Sequence, residues 1–151
     1  MNDRLTPISV PRRHVLVLGA GLLSSRPAWS QEELAAAVSA FAAGKKVNDG
    51  KVAIDIAPLV ENGNTVPVTV TVDSPMTADQ HVKTIALFNE RNPQREVVQF
   101  TLGPRAGRAR VSTRIRLATS QKLVALARLS DDSVWSQTVE VIVTLAGCVE
   151  G

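Results

Sequence analysis

The side chain with the most distinctive chemistry is the single cysteine, Cys148, three residues from the carboxyl terminus. A lone cysteine is commonly a small buried hydrophobe, but chain termini are poorly ordered unless they dock, so this position opposes full burial. Glu150 and the terminal carboxylate are close in sequence and no base is adjacent, so local charge disfavours the thiolate that a nucleophile requires. We therefore predict that other proteins act on the Cys148 thiol, and that this cysteine is not a catalytic nucleophile.

A second candidate group is the set of arginines in the segment 105–116. On a β-strand, Arg110, Arg114 and Arg116 would share one face, because successive side chains alternate across a strand. The pattern fits a docking stripe for an acidic partner or an anionic adduct, and it also fits the solvated face of a sheet.

The remaining candidates do not combine into a metal or catalytic site. The two histidines, His14 and His81, cannot assemble a metal site with one cysteine by themselves. His81 is two residues from Asp79, but no nucleophile neighbours the pair. Paired-cysteine metal spacing and a glycine-rich phosphate loop that opens a helix are both missing from the sequence. We predict no metal and no cofactor.

Residues 1–30 have the features of an export signal. Arg12 and Arg13 precede an apolar run, 15–23, that is too short to span a bilayer, and small residues follow at the cleavage-site positions. The adjacent arginines favour the twin-arginine route, and the general secretory route stays open. Either route predicts an exported, periplasmic protein, in a compartment where Cys148 can form disulfides.

The charge of the mature chain argues against a nucleic-acid partner. The signal carries four arginines and one aspartate, so that of 17 basic and 14 acidic residues the mature chain keeps 13 of each. A chain near neutrality has no overall field to attract nucleic acid. No membrane partner is predicted either.

The hydrophobic pattern after the signal predicts an all-β domain. Residues 31–47 predict a short amphipathic helix with an apolar stripe of Leu34, Val38 and Phe41. The region 48–144 then carries seven predicted strands about ten residues apart, a pattern typical of an immunoglobulin-like antiparallel β-sandwich. The predicted strands are 52–56, 66–72, 83–88, 97–102, 109–117, 123–129 and 135–144. Pro58 and the cluster 61–64 predict a break and a turn, no parallel pairing is predicted, and 145–151 is assigned to a flexible arm.

Several short segments resemble SoxY, the sulfur-carrier subunit of the bacterial thiosulfate-oxidising Sox complex. The resemblance covers essentially all of the mature chain, and it rests on the segments 61–68, 72–76, 92–93, 100–104 and 112–118 together with the glycine and cysteine near the end. The family's usual ending is Gly-Gly-Cys-Gly-Gly. Here the arm is instead built from Ala146, Gly147, Cys148, Val149, Glu150 and Gly151. Fewer glycines make a stiffer arm, and the glutamate adds a charge.

The resemblance implies a carrier rather than an enzyme. It implies that sulfur compounds such as thiosulfate are joined oxidatively to Cys148, that Sox enzymes then process the bound sulfur, and that the carrier pairs with a SoxZ-like subunit. The covalent sulfur adduct on Cys148 takes the place of a cofactor. The alternative prediction is an exported interaction module or SoxY paralogue whose cysteine only makes an intermolecular disulfide, as in a disulfide-linked dimer.

Overall fold

The computed structural model describes residues 29–145. The predicted export signal therefore lies outside the described residues except for its last two positions, and Cys148 lies outside them with the rest of 146–151. The described chain forms one α-helix and nine strands. Their bounds are α1 Trp29–Ala42, β1 Val47–Asp49, β2 Val52–Asp55, β3 Leu59–Asn62, β4 Val66–Val72, β5 Val82–Asn89, β6 Glu96–Thr101, β7 Arg110–Ile115, β8 Gln121–Leu129 and β9 Val134–Leu145.

The strands form two sheets that pack face to face. The larger sheet has the order β1-β9-β8-β5-β6, with β3 also paired to β9, and the smaller sheet has the order β2-β4-β7. Five of the seven strand pairings are antiparallel, which confirms the prediction of an all-β, immunoglobulin-like sandwich. All seven predicted strands are present, as β2 and β4 to β9.

The core between the sheets is built from alternating positions of the strands. In β4 the even-numbered valines from Val66 to Val72 are at most 3% exposed, and the residues between them point outward. Leu123, Ala125 and Ala127 of β8 contribute the facing layer and are fully buried. This two-residue period is the signal that made the strands predictable.

Helix α1 covers one end of the outer face of the larger sheet. Its predicted stripe is correct: Leu34 is buried, and Val38 and Phe41 pack against the same cluster. The Phe41 ring meets Phe88 edge to face, with centroids 6.0 Å apart. The helix ends at Ala42, so the predicted end at residue 47 was wrong. Within residues 29–145, no helix is long and apolar enough to cross a membrane.

The predicted helix was too long because the chain leaves the helical conformation directly after Ala42. Ala43 and Gly44 both have positive φ, at 50° and 78°, and glycine adopts this conformation at little cost. Val47, which the prediction placed in the helix, begins β1 instead.

Strand β9 organises the larger sheet, and it holds the two strands that the sequence pattern did not reveal. β1 pairs in parallel with its first residues, Val134–Ser136, and β3 pairs in parallel with its last, Ile142–Leu145. The expectation of no parallel pairing was therefore wrong. The predicted break and turn over 58–64 was also wrong in part, because β3 occupies Leu59–Asn62.

Candidate functional site

The segment that leads to Cys148 is anchored at the end of β9. Strand β8 ends its pairing with β9 at Gln121, opposite Val141. Beyond that point the Ser120 hydroxyl takes the place of the ladder: it accepts a hydrogen bond from the Val143 N–H at 2.9 Å and donates to the Val143 carbonyl at 3.4 Å. β9 is thereby held on both edges almost to its last residue.

Leu145 belongs to the sheet and not to the arm to which it was assigned. It pairs with Asn62, and its carbonyl accepts a hydrogen bond from the Gly63 N–H at 3.0 Å. We call the surroundings of Leu145 the arm root. Cys148 is three residues further along the chain. The predicted attachment point and the other arm residues, Ala146, Gly147, Val149, Glu150 and Gly151, lie outside the described residues.

A polar network holds together the loops that frame the arm root. The Asn92 side chain donates to the Arg116 carbonyl at 2.7 Å and accepts from the Ala118 N–H at 3.1 Å and from the Gln121 amide at 2.8 Å. Gln121 is 2% exposed, and its side-chain Oε1 accepts a hydrogen bond from the Arg91 backbone N–H at 2.9 Å. The network connects the β5–β6 turn to the loop that carries Ser120. Because Ser120 bonds to Val143 of β9, the network also holds the arm root in place.

Two of the three predicted docking arginines share the outer face of the smaller sheet. Arg110 lies opposite Thr71 and Arg114 lies opposite Pro67, and both are exposed. Between them on that face lies Ser112, whose hydroxyl is 2.8 Å from the Thr69 hydroxyl of β4. Within residues 29–145, neither arginine forms an ion pair. The predicted shared face is therefore confirmed for Arg110 and Arg114, and their docking role stays a prediction.

Arg116 does not share that face as part of the strand. β7 ends at Ile115, and Arg116 lies in the loop beyond it. The backbone leaves the ladder there because the Leu117 N–H bonds to the Gly63 carbonyl at 2.8 Å and the Arg116 carbonyl accepts the Asn92 amide. Arg116 is exposed and lies near the arm root, one residue from the contact with Gly63.

A groove of about 800 Å³ lies beside the arm root, where β2 ends and the chain crosses to the larger sheet as β3. Its lining includes Asp55, Leu59, Val60, Pro67, Ser112 and Arg114. The Asp73 N–H donates to the Lys51 carbonyl just before β2, and the Val72 N–H donates to the Ala109 carbonyl just before β7. Odd-numbered residues of β4 therefore direct their backbone groups towards β2. β2 ends opposite Thr69. Pro67 therefore faces the gap, and because proline has no N–H, no donor is left unpaired there.

The titratable groups with shifted pKa values lie at the other end of the sandwich, in the β8–β9 hairpin. Hydrogen bonds from Ser133 lower the pKa of Asp131, and the Lys83 ammonium, 2.8 Å from the carboxylate, lowers the pKa of Asp132. His81 bonds through Nδ1 to the Thr77 carbonyl at 3.2 Å. The described residues contain no cluster of three or more potential metal ligands.

The prediction from sequence missed one surface feature near the arm root. Leu59 and Ile142 are neighbours across the β3–β9 pair and are 57% and 54% exposed. In β9 the outward positions before Ile142 are Thr138 and Glu140, whereas Val139 and Val141 pack on the core or are buried. The sequence signal that could have revealed this exposed surface is an isoleucine at one of the outward positions of β9, which are otherwise polar.

Comparisons with known proteins agree with this fold. The family model "Sulfur oxidation protein SoxY" matches residues 38–148, a region that ends at the cysteine. The structure of the sulfur carrier protein SoxY from Chlorobium limicola f thiosulfatophilum matches with a TM-score of 0.65 and 27% identity, over 76% of this chain and 99% of that chain. A comparison with curated proteins returns no significant match.

Superoxide reductases share the architecture at lower identity. The neelaredoxin of Ignicoccus hospitalis matches with a TM-score of 0.55 and 20% identity, over 62% of this chain and 80% of that chain. The enzyme from Nanoarchaeum equitans matches with a TM-score of 0.54 and 13% identity, over 64% of this chain and all of that chain. These likenesses concern the fold alone.

The family match and the Chlorobium structure support a sulfur-carrier role within the Sox system. With a family model that spans most of its length and ends at its one cysteine, this chain belongs to the SoxY family of sulfur oxidation proteins.

Proposed function

We propose that this protein is a periplasmic sulfur carrier that holds intermediates of thiosulfate oxidation covalently on Cys148. The observation that supports the proposal most strongly is that the family match extends to the only cysteine of the chain. The anchored end of β9 fits the role, because it holds the arm root at a defined place on a rigid sandwich.

The proposed loading step is an oxidation. The Cys148 thiol and thiosulfate form a new sulfur–sulfur bond, and the thiol loses its proton. The pair gives up two electrons to an electron acceptor of the partner enzyme. The carrier supplies only the thiol, so turnover requires the other enzymes of the system. No cofactor beyond the adduct takes part on this chain.

We propose a SoxZ-like subunit as the constitutive partner. The sandwich leaves the outer edges of β6 and β7 unpaired within the described residues, and unpaired edges are surfaces that a second β-protein can cover. Coexpression followed by size-exclusion chromatography with light scattering tests this pairing: a one-to-one complex is expected, and a carrier that elutes alone contradicts it.

Arg110, Arg114 and Arg116 are proposed to attract an acidic surface of a partner. From Val97 to Ser130 the sequence contains no acidic residue, and all three arginines are exposed. The double variant Arg110→Glu and Arg114→Glu is expected to slow partner association and to weaken its dependence on salt. Lys46→Glu, at a distant exposed position, is the matched control. Equal effects of the two changes refute a local docking role.

The second candidate function is an exported interaction module whose cysteine only forms an intermolecular disulfide. The observation that favours it is the tail: alanine, valine and glutamate replace three of the four glycines that usually flank the family's cysteine. Such an arm enters a narrow active-site channel less easily than a glycine arm.

One loading experiment separates the two functions. The reduced mature protein is incubated with thiosulfate and the oxidising partner enzyme, and its intact mass is measured beside a variant with Ala146→Gly, Val149→Gly and Glu150→Gly. The carrier proposal predicts a reducible sulfur adduct on both proteins, which Cys148→Ser abolishes. If only the glycine variant becomes loaded, or if only disulfide dimers form, the native arm is not a carrier and the interaction module is the better account.

A further inference from the structure

The most exposed large apolar side chains of the described chain lie near the arm root. Within residues 29–145, the large hydrophobic side chains that are exposed are Leu59, Ile142 and Leu145, at 57%, 54% and 67%. All three lie in the β3–β9 pair. Leu59 is opposite Ile142 on the outer face, whereas Leu145 follows the odd-numbered Val141 and Val143 and lies on the other face of the strand. We call the adjacent pair Leu59 and Ile142 the root patch. Their adjacency matters because single exposed apolar residues are ordinary, whereas neighbours on one face form a continuous apolar surface.

Nothing in the described chain covers the root patch. Helix α1 packs on the same outer face of the larger sheet, but at the opposite end, against Val134 and Leu126. Ile142 is eight residues along β9 from Val134, which places it roughly 27 Å away at the usual strand rise. Polar residues border the patch: Glu140 lies opposite Lys122, and Glu61 is exposed. An apolar centre with a polar rim is the usual anatomy of a protein interface.

The short stretch of chain between Leu145 and Cys148 limits how far from the arm root a partner enzyme can bind. Three residues separate Leu145 from Cys148, and a fully extended chain of three residues spans about 10 Å. An enzyme that acts on the thiol in a recessed active site must therefore bring the rim of that site to within about 10 Å of Leu145. Ile142 is three residues, or about 10 Å, before Leu145 on the same strand, so an enzyme rim that approaches along the outer face can contact the root patch.

We propose that the root patch is the docking site for the enzymes that process the sulfur bound to Cys148. The inference rests on the proposed carrier function and adds the surface that its partners recognise. The matching partner surface is an apolar rim around a recessed active site. The small patch suits a transient encounter, because permanent subunit interfaces bury far larger and more continuous apolar areas.

The groove beside the patch extends this surface towards the smaller sheet. Leu59 and Arg114 both line the groove. A partner seated on the root patch therefore reaches the cationic face, and a carboxylate on its rim can meet Arg114. Apolar contact would supply most of the affinity, while the arginine would add orientation.

The test measures binding independently of sulfur loading. The carrier with Cys148→Ser, in complex with its SoxZ-like subunit, is titrated against the oxidising partner enzyme by biolayer interferometry. Leu59→Gln and Ile142→Gln together are expected to raise the Kd at least ten-fold without changing the thermal unfolding midpoint, since both side chains are exposed. Lys46→Gln, at an exposed position just before β1 and away from both the root patch and the cationic face, is the control and should leave the Kd unchanged.

Three results would overturn the proposal. The Kd of the double variant could stay within two-fold of the control. The double variant could lose its SoxZ-like subunit in light scattering, in which case the patch belongs to the permanent interface. It could also convert a self-associated carrier to monomers, which would assign the patch to a second copy. Failure of the carrier function itself appears elsewhere, as the lack of any sulfur adduct on wild-type Cys148, and does not affect this binding measurement.

Discussion

The polar network beneath the arm root leads to a quantitative prediction about Asn92. Its side chain makes three hydrogen bonds, to the Arg116 carbonyl, the Ala118 N–H and the Gln121 amide. The Asn92→Ala variant loses all three. Each net hydrogen bond contributes about 1 kcal/mol, and a partner left unsatisfied in a partly buried place adds to the cost, so the free energy of unfolding should fall by roughly 2–4 kcal/mol.

The loss is large enough to measure in a domain of this size. For a domain of somewhat over 100 residues, a change of about 3 kcal/mol lowers the thermal midpoint by roughly 10 °C. Urea denaturation followed by circular dichroism gives the free energy, and calorimetry gives the midpoint. Gln94→Ala, in the same turn, is the control, because the exposed Gln94 side chain makes no hydrogen bond within the described residues. A loss below about 0.5 kcal/mol for Asn92→Ala would refute the importance of the network.

Two further predictions concern the hairpin and the arm root. Lys83 lowers the pKa of Asp132, so the ionised pair stabilises the fold above the ordinary aspartate pKa of 3.8, and this contribution is lost as the pH falls through the lower folded pKa. In urea titrations, the stability advantage of wild type over Lys83→Met should therefore shrink below about pH 4. A stability difference that does not depend on pH would contradict this. Ser120→Ala should increase hydrogen exchange at the Val143 amide several-fold by removing its acceptor, with little change in the exchange of core amides; unchanged exchange at Val143 would show that Ser120 does not anchor the strand.

The strands that were predictable are those whose own residues carry the two-residue period. β4 and β8 alternate or concentrate apolar residues over seven and nine positions, which is enough for the pattern to be read locally. β1 and β3 have only three and four residues. Both are strands because β9, more than 80 residues away in sequence, offers them an edge, and no local pattern records that partner.

The candidate site divides in the same way. Cys148 could be singled out from its type and position, and Arg110 and Arg114 from their spacing. Arg116 was misplaced because the hydrogen bond from Asn92 to its carbonyl, which takes the chain out of the ladder, joins residues 24 positions apart. Ile142 resembles a core residue in sequence. It is exposed because α1 covers only the other end of this face of the sheet and because β3 pairs beside Ile142 without covering it.

The central claim is that Cys148 carries sulfur, and intact mass spectrometry of the mature protein tests it most directly. The protein is purified from cells that oxidise thiosulfate, and its mass is recorded before and after treatment with a reducing agent, beside Cys148→Ser. The account predicts a mass increase that corresponds to sulfur atoms or a thiosulfonate, which the reducing agent removes and the serine variant lacks. A bare thiol or a simple disulfide dimer as the sole species would contradict it.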